Sequence, residues 1–189
     1  MNLKSTVVSA LVLLVSVFFG INEDALRPLI DWIDPPPAGY ARVEQVVDGD
    51  TIVVRFGDNQ ERVRLIGVDT PETNHPNKAV QCFGKAATQY LQNLLAGSDV
   101  RLEMDSTNTN RDRYDRLLRY VYTEDELLVN DAIIRDGYGF AYTIFPFEKS
   151  DQFRVAQQEA EMANRGLWAE CDIEPAGDAL NTVPAEDAY

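Results

Sequence analysis

Histidine is nearly missing from this sequence and cysteine is scarce: one His and two Cys stand among 189 residues. A structural zinc site takes about four Cys or His ligands, so none is expected. A histidine-based catalytic triad would rest on His75 alone. That residue stands between Pro71 and Pro76, where a structural or solvated turn role is expected. Positive charge is also short. Seventeen Lys and Arg face 31 Asp and Glu, giving a formal net charge of −14. A protein that grips nucleic acid by bulk electrostatics gains affinity from counterion release and needs a basic surface. That mode is disfavoured here. An enzyme that touches one phosphodiester at one site is not excluded.

What is present points to a single domain with extensions. Apolar residues make up 45% of the chain, enough for a packed core. Residues 1–21 read as a targeting segment: Lys4 supplies the positive end, and Val7 to Ile21 carries no charge. The length fits a signal peptide or an N-terminal membrane anchor. Phe18-Phe19-Gly20-Ile21 is a poor cleavage sequence, which favours an uncleaved anchor. Either way the remainder is expected outside the cytoplasm, secreted or held at the membrane through residues 5–21. Residues 22–40 form a linker stiffened by Pro35, Pro36 and Pro37. Residues 173–189 are acidic and rich in Ala and Pro, and read as a disordered tail.

The compact domain is placed at residues 41–172. Strands are expected over Val43 to Val47, Ile52 to Val54, Arg62 to Val68, Val100 to Met104 and Leu117 to Tyr122. Helices are expected over Lys85 to Leu95, Leu127 to Arg135 and Asp151 to Asn164, the last with Ser150 as its N-cap. The Asp48-Gly49-Asp50 and Gly57-Asp58-Asn59 turns make the first three strands a meander. The class is α+β. Five short strands with an inserted helix suggest a small closed Greek-key barrel, the OB-fold, carrying three helices.

Chemistry concentrates in Arg64-Leu65-Ile66-Gly67-Val68-Asp69-Thr70-Pro71-Glu72. A cation and two carboxylates are fixed at the end of one apolar strand. In a meander the end of strand three can lie beside the start of strand two, so Asp50 and Asp69 can converge. Two carboxylates with a backbone carbonyl suit a hard divalent cation. Glu72 can orient or deprotonate a water; its plainer reading is a solvated turn residue. A second polar cluster, Arg111 to Arg116, precedes the last strand, and arginine suits bidentate phosphate contact. Its plainer reading is a loop whose arginines pair with Asp112 and Asp115. Tyr114 and Tyr142 can stack on a base or ribose. Cys82 and Cys171, in an exported chain, are expected to form a disulfide closing a loop of about ninety residues.

Val47-Asp48-Gly49-Asp50-Thr51, then Arg64 to Glu72, then Asp112-Arg113-Tyr114-Asp115-Arg116 resemble the staphylococcal nuclease (thermonuclease) family, in order and with compatible spacing, over roughly Ala41 to Asp172. The resemblance implies an OB-fold nuclease, a monomer, that hydrolyses DNA and RNA with calcium and leaves 3′-phosphate products. It implies that Asp50 and Asp69 are the calcium carboxylates and that Thr70 supplies a carbonyl. Glu72 then positions or activates the attacking water, Arg64 and Arg116 bind the reacting phosphate, and Tyr114 and Tyr142 line the nucleotide pocket. Three departures stand out, one of them the Cys82 and Cys171 pair, which the family archetype lacks. Asp115 occupies a position where the family commonly has glycine, and its carboxylate can pair with Arg116 or face solvent. The core domain is acidic, with 15 Lys and Arg against 23 Asp and Glu from Ala41 to Asp172, where the best-known members are basic. Two other readings are a catalytically inactive OB-fold binding module and a structural domain that binds calcium for stability. The first requires degraded acidic and arginine positions, and none of the five is degraded.

Overall fold

The computed structural model describes residues 37–73 and 80–184. The chain divides into two units, Met1–Ala38 and Gly39–Tyr189, and every helix and strand described lies in the second. The targeting segment, most of the linker, His75 and residues 185–189 lie outside the described residues. Among the described residues, no helix is long and apolar enough to cross a membrane.

Strands β1 (Tyr40–Val46), β2 (Thr51–Phe56) and β3 (Asn59–Leu65) form the expected antiparallel meander. Their β-branched residues fit a pleated surface buried on one side. Val43, Ile52, Val54, Val63 and Leu65 point inward and are almost wholly buried. With β5 (Asp99–Glu103) and β6 (Leu117–Thr123) they close a barrel in the order β1-β2-β3-β6-β5. The β3–β6 ladder is parallel, with Arg64 opposite Leu118. This five-stranded barrel with its helices is the α+β OB-fold architecture read from the sequence.

Helices α1 (Gly84–Leu95), α2 (Val129–Arg135) and α3 (Ser150–Met162) bury Leu91 and Leu95, Ile133 and Ile134, and Phe153 and Ala156 in the common core. Ser150 is the first helical residue of α3, with Lys149 as the cap. A fourth, single-turn helix, α4 (Leu167–Glu170), follows and ends at Cys171.

Two stretches differ from expectation. The third strand does not run on to Val68. Gly67 adopts φ +70, and a Cβ there would meet Phe147 at 2.5 Å. Only glycine accommodates both constraints. The chain swings off the barrel and Val68–Asp69 (β4) pairs with Phe140–Ala141 (β7). The second difference is at the C-terminus. Residues read as the start of a disordered tail form a hairpin, β8 (Ile173–Ala176) with β9 (Ala179–Thr182). Backbone pairing and tertiary anchoring prevail over the polar composition. Thr182 Oγ1 donates to the Cys82 carbonyl at 2.8 Å, and Cys82 N–H donates to the Val183 carbonyl at 3.1 Å.

One buried acid links stability to pH. Asp105 has no exposed surface. Burial raises its pKa, but donation from the Thr107 hydroxyl, the Tyr120 hydroxyl and the Glu148 and Thr107 N–H groups outweighs that, lowering it from 3.8 to about 2. A folded-state pKa below the unfolded value stabilises fully above 3.8, and the gain is lost as pH falls toward 2. The gain at neutral pH is about 2 kcal/mol. Urea midpoints of wild type and Asp105→Asn should therefore differ at pH 7 and converge between pH 4 and pH 2. A gap that stays constant over that range contradicts this linkage.

Candidate active site

The turn between β1 and β2 brings Asp48 and Asp50 to the mouth of the barrel. Asp50 N–H donates to Asp48 Oδ1 at 3.1 Å, and Leu65 N–H donates to the Asp50 carbonyl at 2.9 Å. Thr51 and Arg64 are register partners, so the start of β2 lies beside the end of β3. Gly49 lets this turn sit close: a Cβ there would come within 2.7 Å of Thr70 Oγ1 and 2.9 Å of the Ala87 Cβ. The turn therefore packs against both Thr70 and α1.

Arg64 is the hub. Its Nη1 lies 2.9 Å from Asp50 Oδ2 and donates to the Val68 carbonyl at 2.8 Å, while Nη2 meets Asp69 Oδ1 at 3.3 Å. Asp50 and Asp69 thus converge on one guanidinium, as the meander argument requires. Asp50 is 7% exposed, and its Oδ2 also accepts the Thr70 N–H and hydroxyl, both at 3.2 Å. Burial and the charge of Asp50 push Asp48 up to about 6.

Arg116 stands just before β6. Its Nε donates to Asp112 Oδ2 at 2.7 Å, and Nη2 meets the same oxygen at 2.7 Å. Asp112 Oδ1 accepts the N–H groups of Tyr114 and Arg116 at 2.9 and 3.0 Å. Burial raises the Asp112 pKa, and these donors more than reverse the effect, leaving it below the usual carboxylate range. Arg116 Nη1 donates to Thr51 Oγ1 at 3.4 Å, and that hydroxyl donates to Asp50 Oδ1 at 3.0 Å. Arg116, Thr51, Asp50, Arg64 and Asp69 form one connected polar chain.

Asp115 does not pair with Arg116. It lies 3.6 Å from Arg111 Nε and its side chain is 87% exposed. Its φ of 65 is left-handed, a conformation glycine adopts freely and Asp tolerates. A glycine would meet the same backbone requirement without strain.

Glu72 is held at the start of the segment leading to α1. Its N–H donates to Gln81 Oε1 at 2.6 Å, and Gln81 N–H donates to the Glu72 carbonyl at 2.9 Å. Thr73 N–H donates to Glu72 Oε1 at 3.1 Å. Gln81 is 8% exposed, and its neighbour Cys82 is disulfide-bonded to Cys171. Tyr114 is exposed and lies beside Arg116, whose guanidinium carbon is 5.4 Å from the ring centroid. Tyr142 follows β7, the partner of the strand carrying Asp69, and its N–H donates to the Gly67 carbonyl at 2.9 Å. The structure brings Asp50, Arg64, Asp69 and Thr70 into direct contact and connects Arg116 to them through Thr51. It places Glu72 two residues beyond Thr70, and both tyrosines on elements flanking the cluster.

Residues 62–170 match the family described as Staphylococcal nuclease homologue. The chain belongs to that family. Among relatives of this nuclease family, the chain is 41% identical to the thermonuclease of Staphylococcus intermedius over 130 residues, covering 67% of this chain and 74% of the relative. It is 36% identical to the thermonuclease of Staphylococcus hyicus over 129 residues, 68% and 75% of the two chains. It is also 36% identical to endonuclease YncB of Bacillus subtilis over 129 residues, 67% and 60% of the two.

Sequence reasoning missed three supports of this nuclease-family site. Thr51 reads in the sequence only as the end of the Asp48-Gly49-Asp50-Thr51 turn motif. Asp112 reads in the sequence as one of two acids that pair with the arginines of its loop, which the structure bears out, but not as the residue that orients Arg116. Gln81 carries no local signal at all, because its role exists only across the gap to Glu72.

The donor set fits a hard cation. Among the described residues no three His, Cys, Asp or Glu side chains close into a preformed cage. The available donors are all oxygen, however, and the two carboxylates already share one positive group. Asp48 stands next to them, its pKa raised first by burial and then by the charge of Asp50. An all-oxygen donor set of this kind suits a hard divalent cation.

Proposed function

We propose that this chain is a calcium-dependent endonuclease. It hydrolyses phosphodiester bonds of DNA and RNA to 3′-phosphate products, and acts as a monomer outside the cytoplasm, either secreted or anchored through residues 5–21. The observation that carries the reading is the connected chain from Arg116 through Thr51 and Asp50 to Arg64 and Asp69. The names of the relatives, thermonuclease and endonuclease, support the reaction class. The Cys82–Cys171 disulfide suits an oxidising compartment.

Asp50, Asp69 and the Thr70 carbonyl would hold the calcium ion. When bound it supplies positive charge next to the reacting phosphate. The remaining chemistry belongs to the side chains. Arg64 and Arg116 hold the phosphoryl oxygens, and their forks strengthen as negative charge gathers there. Glu72 accepts the proton of the attacking water. The bond from phosphorus to the 5′ oxygen breaks, that oxygen takes up a proton from solvent, and the phosphate stays on the 3′ oxygen. Tyr114 and Tyr142 flank the cluster and stack on base or ribose.

The full chain incubated with single-stranded DNA should cleave in CaCl₂ and stop in EGTA, with phosphate on the 3′ ends of the products. Cleavage that continues in EGTA, or 3′-hydroxyl products, overturns the reading.

Asp112 acts through Arg116. Asp112→Ala should lower kcat/KM by roughly 10–100-fold, since the guanidinium loses its anchor and its orientation. Asp112→Asn, which keeps an acceptor, should recover part of that loss. Equal losses in the two variants would make the acid's role merely structural.

A further inference from the structure

The outer face of the β2–β3 ladder continues beyond the active-site cluster. Alternate residues of a strand share a face. Thr51 and Arg64, which belong to the cluster, are followed on that face by Val53 and Arg62 and then by Arg55 and Gln60, each a register pair. Gln45 of β1 pairs with Val53, so Gln45, Val53 and Arg62 form one row across three strands. This row lies in a half-open groove of about 380 Å³ lined by Gln45, Val47, Val53, Gln60, Glu61 and Arg62. Val53 forms an apolar part of its lining, although it points out of the barrel.

The charges in the groove are unequal. Glu61 is neutralised by Arg111, with contacts of 2.8 and 2.9 Å. Arg62 is exposed and makes no ion pair or side-chain hydrogen bond among the described residues. Arg42, Arg55, Arg64 and Arg101, also on barrel strands, each meet an acid. In a chain of net charge −14, an arginine without an acidic partner, one row from the cluster, is positioned to meet an anion. Alternate residues on a strand lie about 6.8 Å apart, comparable to the step between neighbouring phosphates of an extended nucleic acid strand.

We propose that this groove is a substrate subsite for single-stranded nucleic acid. Arg62 takes the backbone phosphate next to the one held by Arg64 and Arg116, and Val47 and Val53 take the face of the adjoining sugar or base. A strand face beside the meander is a recurrent oligonucleotide surface of this barrel type. The inference rests on the nuclease reading, because it takes its direction from the reacting phosphate.

Binding and cleavage test it separately. The full chain carrying Glu72→Gln is titrated in CaCl₂ against a fluorescent oligothymidylate of about eight nucleotides, with a thymidine dinucleotide as a competing short ligand. Adding Arg62→Ala should weaken the longer ligand about tenfold, the loss of one charge-assisted contact. It should lower the salt dependence by about 0.7 in log–log slope. The dinucleotide should move much less, and Arg62→Lys should restore most of the affinity. Arg154→Ala removes a charge from α3 and should change neither ligand.

Unchanged affinity for the longer ligand in Arg62→Ala, or equal weakening of both ligands, overturns the subsite. Wild-type cleavage of the same oligonucleotide reports on the nuclease reading alone. Cleavage with a silent Arg62 removes only the subsite. Binding that depends on Arg62 without wild-type cleavage removes the nuclease reading and keeps the groove as a nucleic-acid site. No binding by the parent protein overturns both.

Discussion

Glu72→Gln should lower kcat on single-stranded DNA by about a thousandfold and leave KM within a few-fold. The substitution removes the proton acceptor and preserves shape. Three hydrogen bonds at residue 72 do not need its charge: its N–H donates to Gln81 Oε1, its carbonyl accepts Gln81 N–H, and Thr73 N–H bonds the Oε1 atom that glutamine also has. The two arginines and the Asp50–Asp69 pair are untouched, so substrate binding should persist. Loss confined to kcat is the signature of a group acting only in the transition state. Circular dichroism and the melting temperature should match wild type. A variant that keeps a tenth or more of wild-type kcat would remove Glu72 from the proton-transfer role.

Replacing Cys82 and Cys171 together by serine should cost about 4–5 kcal/mol of stability, the chain-entropy value for releasing a loop of this size. The bridged residues are 89 apart in sequence, so the unfolded chain gains much freedom. The consequence should reach the site. Cys82 N–H donates to the Val183 carbonyl, the Cys82 carbonyl accepts Thr182 Oγ1, and Gln81 forms a bridge with Pro184. Gln81 in turn holds Glu72 by two hydrogen bonds. The disulfide and the C-terminal hairpin together brace the segment carrying the proposed base. Guanidinium unfolding measures the stability, and kcat of the folded variant measures the brace. A stability loss below about 1 kcal/mol contradicts the entropic argument.

Much of the site was legible before the fold was known. Arg64 to Glu72 reads as a strand ending in a proline turn, and Asp48-Gly49-Asp50 reads as a hairpin turn. Local propensity fixes both, and meander geometry then predicts their convergence. The barrel followed from strand count. Features that depend on contacts distant in sequence were not legible. The swing at Gly67 that moves Asp69 onto a second ladder depends on the packing of Phe147 and on β7. The C-terminal hairpin depends on anchoring at Cys82, against a composition that favours disorder. Asp115 illustrates the limit of pairwise charge reasoning. Its neighbour in sequence is Arg116, but a left-handed backbone turns its side chain toward Arg111 and solvent. Arg116 is held instead by Asp112, four residues earlier.

The surplus of acid over base remains the main difference from a protein that captures nucleic acid by charge. Local arrangement answers it here. Arg64 and Arg116 are presented by rigid strand ends and fixed by neighbouring acids, and Arg62 extends the same face. Affinity from few contacts should be modest and should fall with salt. On the proposed reading, catalysis relies on arrangement at the reacting phosphate, where Arg64 and Arg116 are joined through Thr51 and Asp50.

The most direct measurement is hydrolysis of end-labelled single-stranded DNA in CaCl₂ by the purified full chain, beside the same chain carrying both Arg64→Ala and Glu72→Ala. The expected result is progressive cleavage by the wild type and none above background by the double variant. Equal cleavage by the two proteins, or no cleavage by a folded wild type, would contradict the assignment of hydrolysis to this cluster.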